Sequence, residues 1–245
     1  QLPGSTNWSV MLEKGAAITD EELEARSSKV NVEDRMMLAY TSGTTGHPKG
    51  VVHCHKPVRN TYERAMLLGH NRNDVHMSYL PLFHAYGFSE VAMMAGLTGG
   101  SQVLFDVFEP NEVLDAVEAE GGTVLHGFDS HWADLIRSQQ QAERDVSSLR
   151  VGTLPAGMES TIPIARQAQD IFCPTTSGFG MSESWAFIAS SHITDSLEQR
   201  TEASGYPMYG IEFEIRDLEN GSVLAANETG ALHVRGYTVT SGYWD

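Results

Sequence analysis

From Met36 to about Gly178 the chain alternates short apolar runs with amphipathic stretches, and this alternation constrains its fold more than any other feature. The segments MMLAY, VHMSYLP, SQVLFD, TVLHG, RVGTLPAG and IFCPTTSG have the length and β-branched or aromatic content of strands. Between them VRNTYERAMLLG, FSEVAMMAGL, NEVLDAVEAE, HWADLIRSQQQ and TIPIARQAQD carry apolar residues at helical spacing. Strands that alternate with helices are connected by crossovers, which place the strands parallel and the helices over the sheet. The expected fold class is therefore α/β, a largely parallel sheet covered by helices.

The two ends differ from this pattern. The first thirty residues read as loop plus one polar helix, TDEELEARSSKV, capped by Thr19 or Asp20. Near Gly205 the pattern changes to IEFEIRD, ENGS and GALHVRG, which reads as a hairpin closed by an Asn-Gly turn. The expected division is an α/β part over residues 1–204 and the start of an antiparallel, barrel-like subdomain over 205–245.

Directly after MMLA stands YTSGTTGHPKG, with three glycines, four aliphatic hydroxyls and one lysine. Backbone N–H groups of a glycine-rich turn converge on anions, hydroxyls add neutral donors, and a lysine adds a point charge. This composition predicts a phosphate loop made of Thr41, Ser42, Gly43, Thr44, Thr45, Gly46 and Lys49. The Walker spacing fails, because Pro48 stands where its second glycine belongs and Gly50 follows the lysine. A kinase-type glycine loop does not fit either.

The balance of 16 basic against 32 acidic residues, a formal charge of −16, argues against a nucleic-acid partner. Two isolated cysteines, Cys54 and Cys173, fit neither a disulfide framework nor a zinc site and suggest a reduced, cytoplasmic protein. No apolar run reaches membrane-spanning length. The His53–His55 pair of alternate histidines reads as structural or solvated rather than metal-binding.

The phosphate loop resembles the signature of the adenylate-forming, or AMP-binding, superfamily: acyl-CoA synthetases, peptide-synthetase adenylation domains and firefly-type luciferases. Further segments resemble that family in the same order. PLFHAYGF implies that His84 lies beside an acyl pocket. LPAGMEST implies that Ala156 and Gly157 approach the adenine. SGFGMSES, through Gly178, Phe179, Gly180, Met181, Ser182 and Glu183, implies an aromatic face on the purine from Phe179, an α-phosphate contact from Ser182 and a Mg²⁺ ligand in Glu183. Those types suit their tasks, since an aromatic face fits a base and a carboxylate oxygen fits magnesium. ASGYPMYGIEFEIRD and GALHVRGYTVTSGYW resemble the blocks that open the family's barrel-like part, with Ala231 where a Glu is usual.

Within the superfamily, FHAYGFSE, VLHGFDSHWADLI and GFGMSES most resemble fatty-acyl-CoA synthetases. Phe128 and Trp132 of the second segment are assigned to the core on their general burial tendency. The resemblance implies ATP and Mg²⁺ as cofactors, coenzyme A as co-substrate and an apolar carboxylic acid as partner. It implies attack of the acid on the α-phosphorus, release of pyrophosphate and transfer of the acyl group to CoA, with Lys49, His84, Ser182 and Glu183 as the catalytic set. The family's ribose-binding T-G-D block and its lysine-bearing C-terminal domain are expected beyond Asp245, because no lysine follows Lys56. The chain thus reads as an internal fragment with little activity of its own. An amino-acid adenylation domain and a non-catalytic nucleotide-binding remnant are the alternatives.

Overall fold

The computed structural model describes residues 4–41 and 47–244. The chain divides into two compact units, residues 1–34 and 35–245. The first holds two helices, α1 (Trp8–Gly15) and α2 (Asp20–Ser27), where the sequence suggests only one. The Asn7 side chain caps α1 by accepting from Ser9 N. Thr19 caps α2 in a reciprocal box, with Glu22 N–H donating to Thr19 Oγ1 at 3.2 Å and Thr19 N–H donating to Glu22 Oε2 at 3.0 Å.

The second unit opens with β1 (Arg35–Thr41) and β2 (Lys49–Cys54), an antiparallel pair in which Thr41 faces Lys49. The strand β2 was not legible as one; it buries His53 in the sheet, the structural one of the two roles expected for that histidine. Then follow α3 (Val58–Leu67), β3 (Val75–Ser78), a π-helix (Gly87–Met93), α4 (Met94–Thr98), β4 (Ser101–Leu104), α5 (Pro110–Glu120), β5 (Val124–His126), α6 (Asp129–Gln141), β6 (Val151–Thr153), α7 (Ile162–Ile171) and β7 (Thr175–Thr176).

The strands β4-β3-β5-β6-β7 form one five-stranded sheet in that order, and every neighbouring pair is parallel. The expected α/β class is observed. The side-chain period of a strand sends alternate residues to opposite faces. Leu125 therefore joins Met77, Leu114, Trp132, Leu135 and Ala165 in the core under α5, α6 and α7. Val124 and Val151 pack on the other face against Ala65 of α3, Leu68 directly after it and Met94 of α4. A Cβ at Gly152 would lie 2.2 Å from Leu125 O and 3.0 Å from Trp132 Cζ2, so only glycine lets the buried indole reach the sheet there.

The remaining elements are β8 (Gly178–Met181), a short 3₁₀ turn (Ser182–Ser184), β9 (Ala186–Ser190), α8 (Leu197–Glu202), β10 (Tyr206–Pro207), β11 (Ile211–Arg216), β12 (Ala231–Gly236) and β13 (Tyr243–Trp244). β8, β9 and β10 form an antiparallel sheet, a pairing the alternation did not signal. β11 and β12 pair antiparallel as expected. The Asn220-Gly221 turn, however, closes a smaller reversal, in which Asp217 N–H donates to Ser222 O at 2.9 Å and Arg216 bridges Val223. The chain then continues to Gly230 before β12 begins, so the turn does not join the two strands directly. Among the described residues no helix is long and apolar enough to cross a membrane.

Candidate active site

The sheet order places β4 on one side of β3 and β5 on the other, so the chain reverses its direction of growth between β3 and β5. Open α/β sheets bind ligands outside the carboxyl ends of strands at such a point. A cleft of about 580 Å³ opens there. Phe128 follows β5, Pro155 follows β6, and Gly178 follows β7, and all three line it. His84, Ala85 and Tyr86 enter its wall from the segment after β3.

Thr41, Lys49, His84, Gly178, Phe179, Gly180, Met181, Ser182 and Glu183 all line this cleft. They come from distant parts of the sequence, and the register of β1 with β2 seats Thr41 opposite Lys49. Ser42, Gly43, Thr44, Thr45 and Gly46 lie outside the described residues. Ala156 and Gly157 are not on the wall. Both polar backbone atoms of Ala156 engage Ser177 Oγ, and a Cβ on Gly157 would face Ser204 Oγ at 3.4 Å. Their neighbour Pro155 stands on the wall instead.

The 3₁₀ turn that carries Ser182 and Glu183 is fixed from several sides. The His53 ring Nε2 donates to Ser182 O at 2.6 Å, and Thr240 N–H donates to Glu183 O at 2.8 Å. Directly after the turn Trp185 (φ 68°) and Ala186 (φ 59°) both occupy the left-handed region. Such residues cost about 1–2 kcal/mol each and persist only where surroundings hold them. Here the buried Trp185 indole N–H donates to Thr61 Oγ1 at 2.9 Å, and its ring meets the edges of His53 and Phe88. A Cβ at Gly180 would lie 1.3 Å from Ala186 O, so β8 and β9 approach closely only with glycine there.

Tyr243 joins the two charged members of the site. Its hydroxyl donates to Glu183 Oε1 at 2.9 Å, and Lys49 Nζ lies 5.1 Å from its ring centre. The hydrogen-bonded carboxylate pushes the Tyr243 phenol up from its ordinary pKa. Tyr243 arrives on β13, which pairs with β2 through Tyr243 and Val51. No motif singled it out.

The lining also includes Ala85, Tyr86, Phe128 and Phe187, which are apolar or aromatic. Phe128 is 37% exposed and packs edge-on to His84 and Tyr86, so its assignment to the core is corrected. It sits at the start of α6 where the chain leaves the sheet, whereas Trp132, one turn on, is fully buried. Tyr86 is held by Thr153 through its hydroxyl, and burial pushes its phenol well above the ordinary range. His84 Nδ1 accepts from Tyr86 N–H at 3.1 Å, and desolvation lowers its pKa.

Thr41 and Lys49, which flank the glycine-rich stretch, thus share a cleft with a carboxylate and aromatic rings. The model of the AMP-binding enzyme family matches residues 5–244. The chain belongs to that family. Relatives include the acyl-CoA ligase sidI of Aspergillus fumigatus, 28% identical over all of this chain and 42% of the relative's length. The 4-coumarate–CoA ligase 4 of Arabidopsis thaliana is 28% identical over 91% of the chain and 40% of its own length. Among solved structures, O-succinylbenzoate coenzyme A synthetase of Bacillus subtilis, in complex with ATP and magnesium ion, is 27% identical. It superposes with a TM-score of 0.75 over 87% of this chain and 44% of that one. A long-chain-fatty-acid-CoA ligase of Archaeoglobus fulgidus, 24% identical, has a TM-score of 0.77 over 88% of this chain and 45% of its own, which shows a shared fold. The chain spans about two-fifths of the length of the relatives it matches.

Proposed function

We propose that this AMP-binding chain forms the nucleotide and acid site of an enzyme that activates an apolar carboxylic acid as its acyl-AMP and passes the acyl group to coenzyme A. The observation that carries this reading is that one cleft is lined by Thr41, Lys49, Phe179, Ser182 and Glu183 together with His84, Phe128 and Phe187. The donor set fits Mg²⁺-ATP: a hard carboxylate oxygen, two hydroxyl side chains and one ammonium group. Mg²⁺, when held by Glu183, supplies positive charge to the phosphate oxygens.

A carboxylate is already ionised at neutral pH, so no strong base is needed on the acid side. In the first step a carboxylate oxygen forms a bond to the α-phosphorus as the bond to pyrophosphate breaks. Lys49 offsets the charge that builds on the departing pyrophosphate, and the hydroxyls of Thr41 and Ser182 orient phosphate oxygens. The Phe179 ring offers a face to the purine. The wall of His84, Phe128 and Phe187 keeps water from the mixed anhydride. In the second step the thiol sulfur forms a bond to the acyl carbon as the acyl–oxygen bond to AMP breaks; AMP leaves with the electron pair and the thiol proton passes to water.

Glu183 is the one acidic side chain on the wall among the described residues. An amino-acid substrate would need a further acid to hold its ammonium group, so an apolar acid is favoured. Residues 205–245 are read as the beginning of a barrel-like subdomain, supported by the β11–β12 pairing and the cluster of Ile188, Met208 and Ile211. Two free thiols, Cys54 and Cys173, support a cytoplasmic setting.

The test is ATP–pyrophosphate exchange by the full-length protein with fatty, aryl and amino acids. Exchange with fatty or aryl acids is expected, and Lys49→Ala is expected to lower it by about 10²-fold or more. Exchange with amino acids alone would replace the reading with the peptide-synthetase type. No exchange with any acid would make the chain a nucleotide-binding remnant, and an unaffected Lys49→Ala variant would remove the loop assignment.

A further inference from the structure

Away from the residues assigned to ATP, three histidines meet on the α3 side of the sheet. His76 lies in β3, His126 ends β5, and His70 follows α3; none is more than 4% exposed. Their ring centres are 5.0 Å apart for His70 and His76, 5.8 Å for His70 and His126, and 6.3 Å for His76 and His126. Buried ring nitrogens normally have partners. Here His70 Nε2, both nitrogens of His76 and His126 Nε2 have none among the described residues.

The partnered nitrogens indicate what the open ones can offer. His126 Nδ1 is 2.9 Å from Thr153 Oγ1, and the Thr153 hydroxyl is itself bonded to the Tyr86 hydroxyl. With Nδ1–H donating to Thr153, His126 Nε2 keeps a lone pair. His70 Nδ1 is 3.4 Å from Asp74 Oδ2. Arg150 Nη2 also lies 3.3 Å from His70 Nδ1, so the imidazole must turn its Nδ1–H to the carboxylate, rather than accept from the guanidinium, for His70 Nε2 to offer a lone pair. A carboxylate behind a histidine is the usual second partner of a metal-bound imidazole.

We propose that His70, His76 and His126 bind one divalent transition-metal ion of the zinc type, with Asp74 orienting His70 and Thr153 orienting His126. Three imidazoles on one tetrahedral ion, at ordinary metal–nitrogen distances, hold their ring centres about 5 Å apart. His70 and His76 already stand at that separation, and the donor atoms of His70, Asp74 and His76 all fall within 4.8 Å of one another. His126 stands farther off, its ring centre 5.8 Å and 6.3 Å from the other two, and would move inward to complete the set. The charge that opposes a cation here is Arg150, whose Nη2 is 3.3 Å from His70 Nδ1. Arg150 is paired with Asp74 and also donates to Leu68 O and Gly69 O. Arg64 is paired in turn with Glu90. These ion pairs balance the charged side chains around the rings, and three-imidazole zinc sites take a water or hydroxide as fourth ligand. The ion would tie β3, β5 and the segment after α3 together, and through Thr153 it would stiffen Tyr86 in the cleft wall.

The full-length protein, stripped with a chelator and dialysed, is titrated with Zn²⁺ and separately with Co²⁺. Expected are one bound equivalent that His126→Ala and His76→Ala each abolish, a raised Tm, and the visible bands of four-coordinate Co²⁺ with nitrogen ligands. Asp74→Asn is expected to weaken binding about 10- to 100-fold. Glu183→Ala is expected to leave Zn²⁺ binding intact, which separates this site from the cleft. Because deleting a buried histidine can itself unfold the chain, the Co²⁺ spectrum of the unaltered protein serves as the second measurement. Sub-stoichiometric binding, a six-coordinate spectrum, or binding that survives both histidine variants would overturn the proposal.

Discussion

Glu90→Gln should be among the most damaging isosteric changes in this chain. Arg64 and Glu90 are 1% and 0% exposed at their side chains and meet through Arg64 Nε and Glu90 Oε2 at 2.8 Å. Arg64 Nη1 has no hydrogen-bond partner among the described residues, and Ser89 Oγ donates to the other carboxylate oxygen at 3.1 Å. Removing the negative charge while keeping the shape leaves a guanidinium buried without its counter-ion. Its remaining support is the Phe187 ring face, 4.6 Å from Arg64 Cζ. Breaking one side of a buried pair costs about 3–5 kcal/mol. In a chain of this length that lowers Tm by about 6–20 °C. The pair itself contributes far less, since desolvating both charges offsets their attraction. The double variant Arg64→Met with Glu90→Leu should therefore return to within about 1 kcal/mol of the natural chain. Urea and thermal unfolding of the single variants and the double variant measure this directly. A Glu90→Gln cost below about 1 kcal/mol, or a double variant as unstable as the single, would refute the reasoning.

Other outcomes follow from the same geometry. Gly180→Ala drives a methyl into the Ala186 carbonyl and should cost about 3 kcal/mol by denaturant unfolding, whereas Gly96→Ala, in α4 with open space around it, should cost nothing measurable or stabilise. Burial holds His53 below its ordinary pKa of 6.5, so the unfolded chain takes up that proton first as pH falls. The stability this gives is full above pH 6.5 and declines as pH drops through the lowered folded value; His53→Gln should flatten the slope of unfolding free energy between pH 7.5 and about 5. Burial also pushes the Cys173 thiol up to about 12 and leaves it 3% exposed, so a thiol reagent at pH 8 should label Cys54 in the native chain and reach Cys173 only after denaturation.

The helices and the parallel strands between Val58 and Thr176 were legible because their signals are local. Apolar spacing in NEVLDAVEAE or HWADLIRSQQQ follows from the 3.6-residue turn, and the helices α5 and α6 fall where it puts them. Short motifs picked out part of the cleft lining, as with Lys49, Phe179, Ser182 and Glu183, whereas LPAGMEST picked out Ala156 and Gly157, which do not line it. The reading missed β2 and the β8–β9 pair. KGVVHC has a histidine inside an apolar run, and GFGM has two glycines in four residues, so neither presents a strand pattern. Phe128 was misplaced for a related reason: burial tendency is an average, and this ring stands where the chain leaves the sheet at the mouth of the cleft.

The sequence by itself determined the class of fold, the alternation of parallel strands and helices and the residue types of the cleft, because each depends on residue types over a few turns of chain. The tertiary structure decided which of those residues meet. Tyr243 reaches Lys49 and Glu183 because β13 pairs with β2, and His53 steadies Ser182 across 129 positions of sequence. His76 and His126 converge in the same way, from strands that the sheet order makes neighbours, and His70 joins them from the segment after α3. A strand's alternation tells which face a side chain takes but not which strand lies beside it. That choice is made by packing of the whole sheet, and no local pattern encodes it.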